Sequence, residues 1–199
     1  MDFVWQQIPK GVRRVLRWRT RAEVSAAVVL TRVLQFVEWF CGTGNLTTAC
    51  SQQGLRVRWF DCTLDPSKMN LLTDAGFAAA IRLALSMMIG ATAWFGVPCS
   101  TFVFMSRSHT KRSRTLPKGN CKRKDVRRAN LIVDRVAFLI KILSLRKVYW
   151  IMEQPLNSLL WVMPAIARAK KNVRFEDWAG SAASSGWGTT DMCCGSRRS

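Results

Sequence analysis

The stretch VLQFVEWFCGTGN, Val33 to Asn45, decides the fold. Val33–Phe40 is crowded with β-branched and aromatic residues, which suit a buried strand. The CGTG that follows places glycines at 42 and 44, so the chain turns tightly there. Asn45 then supplies an N-cap for a helix that carries Leu46, Ala49 and Cys50 inward until Gly54 stops it. Strand, turn and helix make one β-turn-α unit.

The same alternation continues downstream. Leu55–Asp61 alternates Leu55, Val57 and Trp59 with Arg56, Arg58 and Phe60, which predicts a second strand ending in an acid. After a loop through Pro66, Asp74–Met88 predicts a helix with Asp74 as its cap, Phe77, Ile81, Leu85 and Met88 on one face, and Gly90 closing it. Ala91–Phe95 is a short, wholly apolar strand of the kind found inside parallel sheets. A long loop from Ser100 to about Asp125 precedes a helix over Val126–Leu145 with Leu131, Val136, Leu139, Ile140 and Leu143 inward. Val148–Met152 predicts a fourth strand, and Asn172–Phe175 is the only late strand candidate. Strands alternating with helices predict an α/β fold with a mostly parallel sheet. The expected organisation is a basic amphipathic extension over 1–32, one domain over 33–175 with a basic loop at 100–125, and a loosely ordered tail over 176–199.

The 199 residues hold 31 Lys and Arg against 12 Asp and Glu, a formal charge of +19. That field attracts nucleic acid or an anionic membrane, with affinity that falls as salt rises. Hydrophobic content of 49% excludes a disordered polyelectrolyte. Seven cysteines without CxxC spacing and a single histidine, His109, offer no zinc-type grouping, and no metal is expected. Nor is there an apolar run of the ~18 residues a membrane span needs. Free thiols in a reducing compartment fit an intracellular protein, in nucleus or cytoplasm. The Arg-rich extension, with Arg13, Arg14, Arg17, Arg19 and Arg21, reads either as a solvated basic helix or as an organelle-targeting segment.

In open α/β sheets ligands gather where the strands end at their carboxyl side. Glu38 with its CGTG turn, Asp61, Pro98–Cys99 and Glu153 all fall at or just past such ends. A Gly turn opening a helix lets a cofactor approach backbone N–H groups closely. Asp61 reads equally as a ribose-binding acid or as a solvated strand-end residue. Arg107, Lys111, Arg112, Arg114, Lys122, Arg123 and Lys124 form a basic run suited to phosphates, or a solvated charge run.

Taken in order, FVEWFCGTGN, GVPCSTF and WIMEQP resemble the motifs of the DNA cytosine-5 methyltransferases. The chain is also similar to methyltransferase-like protist proteins that carry the same GNLT, PCS and E-x-P elements. The resemblance covers roughly Val33 to Pro164. It implies a Rossmann-like methyltransferase sheet, incomplete at its C-terminus, with S-adenosylmethionine as cofactor. Glu38, Phe40, Gly42 and Gly44 match the family's first motif. With them Cys41, Thr43, Asn45, Asp61, Asn70 and Pro98 are expected around the cofactor, Asn70 standing where an acid often contacts adenine. The resemblance makes Cys99 the nucleophile toward C6 of cytosine and Glu153 the partner of the base near N3. The basic run would then grip a nucleic-acid backbone. Ser100, Val103 and Gln154 depart from the family pattern, and no Gln-x-Arg-x-Arg follows EQP. A catalytically inactive nucleic-acid-binding relative of the fold, or a methyltransferase of RNA or protein, are the alternatives.

Overall fold

Strand β1 (Leu34–Trp39) is the element around which the sheet is built. The computed structural model describes residues 33–171 and the strands at 174–179 and 190–196; the extension expected over 1–32 lies outside the described residues. After β1 come α1 (Asn45–Gln52), β2 (Val57–Phe60), α2 (Asp74–Leu85) and β3 (Met87–Phe95). A short helix α3 (Arg107–Thr110), the long α4 (Lys124–Leu145), β4 (Tyr149–Pro155), α5 (Pro164–Lys171), β5 (Arg174–Ala179) and β6 (Thr190–Ser196) follow. The sheet order is β2-β1-β3-β4-β6-β5. Its first four strands run parallel, while β6 pairs antiparallel with both β4 and β5. This is an α/β, Rossmann-like architecture, as the alternation of strands and helices predicts.

Two periodicities explain the layering. Alternation along β1, β3 and β4 turns Val37, Trp39, Ala93, Phe95, Trp150 and Met152 to one side, where they share a core with Phe77 and Ile81 of α2 and Val136, Leu139, Ile140 and Leu143 of α4. Trp39 stacks on Phe95 with ring centroids 4.9 Å apart. Each of the larger aliphatic and Phe side chains among these contributes about 1.5–3 kcal/mol relative to exposure, and that core fixes the register of the central strands. Glu38 points to the opposite side, toward α1, where it meets Thr47.

Several boundaries differ from the sequence expectations. α1 is capped by Gly44 in a left-handed conformation, without any side-chain cap from Asn45. Its inward residue is Thr47, whereas Ala49 is exposed, because the hydroxyl of Thr47 is drawn to Glu38. α2 ends at Leu85 and is capped by Thr73, whose side chain accepts from Gly76 N. Met87 and Met88 already belong to β3, and Gly90 lies inside that strand at φ 78, beside a register irregularity, so it does not close the helix. In β2 the faces are reversed from expectation: Phe60 is buried and Trp59 is 45% exposed. Leu131 of α4 is likewise exposed. Residues 176–179 and 190–196, expected in a loose tail, form most of β5 and all of β6.

Candidate functional site

Strand register gathers the expected residues on one rim. Trp39 pairs with Phe60 on one side and Phe95 on the other, and Phe95 pairs with Met152. The residues that follow these four, Phe40, Asp61, Gly96 and Glu153, therefore leave the sheet at the same level. The chain order also reverses between β1 and β3, which makes the gap between their ends the switch point where such sheets hold ligands.

The β1–β2 side of the rim is braced by its own hydrogen bonds. Phe40, Gly42 and Gly44 all have positive φ, which folds the turn back on itself. Gly44 N closes it onto Cys41 O at 2.8 Å. The buried Glu38 carboxylate accepts from both the backbone N (2.8 Å) and the hydroxyl of Thr47, anchoring the first turn of α1. Asp61 accepts from Gly42 N at 3.0 Å and from Thr63 N and Oγ1 at 2.8 and 2.9 Å. A carboxylate offers about four acceptor positions, so one remains on Asp61. A Cβ placed on Gly42 meets nothing within 4 Å, and one on Gly44 meets only the Trp59 ring at 4.0 Å. The turn thus faces an open space beside the exposed Trp59. Thr43 and Asn45 are exposed on it. Burial, then the charges of Asp61 and Glu38, push the Cys41 thiol up to about 11. It stays protonated at neutral pH, and a thiol in that state is a poor nucleophile.

Asn70 serves the loop before α2. Its Oδ1 accepts from Leu72 N at 3.0 Å, and its carbonyl accepts from Thr73 N at 3.0 Å. Gly76 sits so close that a Cβ there would lie 2.0 Å from Asn70 O. Arg135 of α4 clamps the same loop through Leu71 O and Thr73 O, both at 2.7 Å, and Asp74 at 2.6 Å. The Nδ2 group of Asn70 makes no hydrogen bond among the described residues.

The β3–β4 side is built differently. Gln154, buried at the end of β4, donates Nε2 to Val97 O and accepts from Ser158 Oγ at 2.9 Å through Oε1. Phe102 N closes a turn on Cys99 O at 2.8 Å, and Leu159 N donates to Phe102 O at 2.9 Å. These bonds hold the backbone on both flanks of Pro98 and Cys99. The reactive side chains are left alone: no hydrogen bond involves the half-buried Cys99 thiol or the half-buried Glu153 carboxylate among the described residues. Gln154, read from sequence as a mere departure, is therefore the residue that joins the two strand ends. The signal for it was its spacing from Ser158, which lets one side chain bridge a turn.

The basic loop folds onto itself. Arg112, expected at a phosphate-binding surface, is only 2% exposed. Its guanidinium lies 4.1 Å from the Phe102 ring centroid and donates to Pro117 O. Burial pulls its pKa down to about 10, which still leaves it charged at neutral pH. It pins the loop and offers nothing to a ligand. Arg107 is half-buried, while Lys111, Arg114, Lys122, Arg123 and Lys124 are exposed. Arg123 and His109 both engage Asp125, at 3.2 and 2.8 Å. Desolvation pushes the Asp125 carboxyl up, but the Arg123 hydrogen bond, the Val126 N–H and the Arg123 charge outweigh it and hold it below the usual range. Lys111, Arg114, Lys122 and Lys124 make no ion pair among the described residues.

Among the described residues no group of three or more His, Cys, Asp or Glu could hold a metal, and no helix is long and apolar enough to cross a membrane. No protein-family model matches the chain, and no curated protein matches it.

Proposed function

We propose that the chain is an S-adenosylmethionine-dependent methyltransferase acting on nucleic acid, with cytosine C5 as the methylated atom. The observation that carries this is the shared register of Phe40, Asp61, Gly96 and Glu153, which sets the Gly turn and the Pro98–Cys99 corner on either side of the switch point. The antiparallel β5–β6 pair closing a parallel sheet also suits the resemblance noted in the sequence.

The Gly turn fits the cofactor. Its open face would accept the bound molecule, the last acceptor position of Asp61 would take a ribose hydroxyl, and backbone N–H groups would meet polar atoms. Bound there, the cofactor supplies an electrophilic methyl group. Cys99, as thiolate, would add to C6 of the base, and the C5–C6 π electrons would shift to C5. Glu153, whose carboxylate has no hydrogen-bond partner among the described residues, would hydrogen-bond the base and steady the charge that develops on the ring. C5 would take the methyl group as its bond to the cofactor's sulfur breaks, and loss of the C5 proton to solvent water with expulsion of the Cys99 thiolate from C6 would restore the aromatic ring and the enzyme. The target base must be extruded from a duplex or already single-stranded.

Cys99→Ala should abolish methyl transfer and covalent trapping by an oligonucleotide carrying 5-fluorocytosine, while keeping the fold. A fully active variant would refute the nucleophile. Methylated RNA or protein in place of cytosine, identified by mass spectrometry, would move the substrate class. Salt-sensitive nucleic-acid binding without any cofactor binding would mark a binding protein without turnover.

A further inference from the structure

A cleft of about 420 Å³ opens between the segment after Cys99 and the segment after Pro155. Phe104, Arg107 and Arg114 line one wall, Asn157 and Trp161 the other, and no Asp or Glu lines it. The walls are tied together by the bond from Leu159 N to Phe102 O. Its size lies within the ~300–1,000 Å³ range of small-ligand sites.

Three features point to one kind of occupant. Phe104 is 71% exposed, with the Arg107 guanidinium 5.1 Å from its ring centroid. Arg107 Nε and Trp161 Nε1 are buried donors without a partner among the described residues, a rare condition in folded proteins. Arg107 and Arg114 bring positive charge to the cleft, and no Asp or Glu among the lining residues opposes it. Aromatic faces, unspent N–H donors and unopposed positive charge together match a planar group carrying an anion.

We propose that this cleft is a subsite for one nucleotide of a single-stranded nucleic acid. The base stacks against Phe104 and Trp161, and the phosphate meets Arg107 and Arg114. A duplex hides the faces of its bases, whereas a single strand offers them to aromatic side chains at little cost. The proposal rests on the nucleic-acid part of the function given above and is independent of methyl transfer.

Fluorescence anisotropy with a short labelled DNA strand, its duplex, and an unlabelled oligoglutamate competitor tests it on the full chain. The single strand should bind more tightly than the duplex, and the competitor should not displace it. Phe104→Ala, at an exposed position, should weaken single-strand binding about five-fold or more. Arg114→Glu should weaken it about ten-fold, against less than about three-fold for Lys147→Glu, which precedes β4 at the opposite end of that strand. Equal affinity for the duplex, displacement by oligoglutamate, an unaffected Phe104→Ala, or equal losses in the two charge reversals would overturn the subsite. Cofactor titration of the same variants separates the two proposals: intact cofactor binding with a failed subsite leaves the methyltransferase standing.

Discussion

The two halves of the rim reach order by opposite means. On the β1–β2 side the acids themselves are committed, Glu38 to Thr47 and Asp61 to Gly42 and Thr63, so the turn is rigid before any ligand arrives. On the β3–β4 side the order comes from Gln154 and from backbone bonds, while the Cys99 and Glu153 side chains make no hydrogen bond among the described residues. A binding surface gains from preorganisation, but a nucleophile bonded into its own protein is lost to the substrate. Substitution of the acids on the first side should therefore cost stability, and substitution of Cys99 or Glu153 on the second should cost function alone.

Glu38→Ala should have the largest effect on stability. It strands the Thr47 N–H and hydroxyl in a buried setting, at about 2–4 kcal/mol by denaturant unfolding, with Glu38→Gln recovering part of that. Next comes Gln154→Leu, which leaves Val97 O without its donor and should cost about 1–3 kcal/mol. Gly42→Ala has room for its methyl but must hold φ 53, so about 1–2 kcal/mol is expected. Cys99→Ala and Glu153→Gln should stay within about 0.5 kcal/mol of the parent. If these last two proved as costly as Glu38→Ala, the division between the halves would be wrong.

The thiols give a chemical version of the same contrast. The folded Cys41 pKa of about 11 lies above the ordinary thiol value of 9.0. The protonated thiol is favoured by folding, so its stabilising contribution is complete below pH about 9 and is lost as pH climbs toward 11. Alkylation followed by mass spectrometry at pH about 8 should label the exposed Cys62 and Cys121 and spare Cys41. Rapid labelling of Cys41 at that pH would show that the Gly turn opens readily.

Much of the fold was legible because two local signals agreed. Apolar runs ending at glycine or proline marked the strands, and the helical stripe in α4 marked its partner face. The same logic placed Glu38, Asp61, Cys99 and Glu153 on one rim, since every parallel strand of such a sheet ends on the same side. What escaped was set by distant contacts. Nothing adjacent to Arg112 distinguishes it from its neighbours; its burial depends on the Phe102 ring and on Met163, far along the chain. Thr47 looks like any helix residue until Glu38 is set beneath it. Gly90 reads as a helix stop, yet β3 begins before it and accommodates it as an irregularity. β6 lies in a Gly- and Ser-rich segment without period, and its strand identity follows from pairing with β4.

The most direct measurement is calorimetric titration of S-adenosylmethionine into the parent chain and into Gly42→Val, whose side chain would fill the open face of the turn. Saturable binding by the parent, weakened about ten-fold or more in the variant, is expected. No heat and no thermal shift with the parent at millimolar cofactor, or equal binding by both proteins, would contradict the assignment of that turn as the cofactor site.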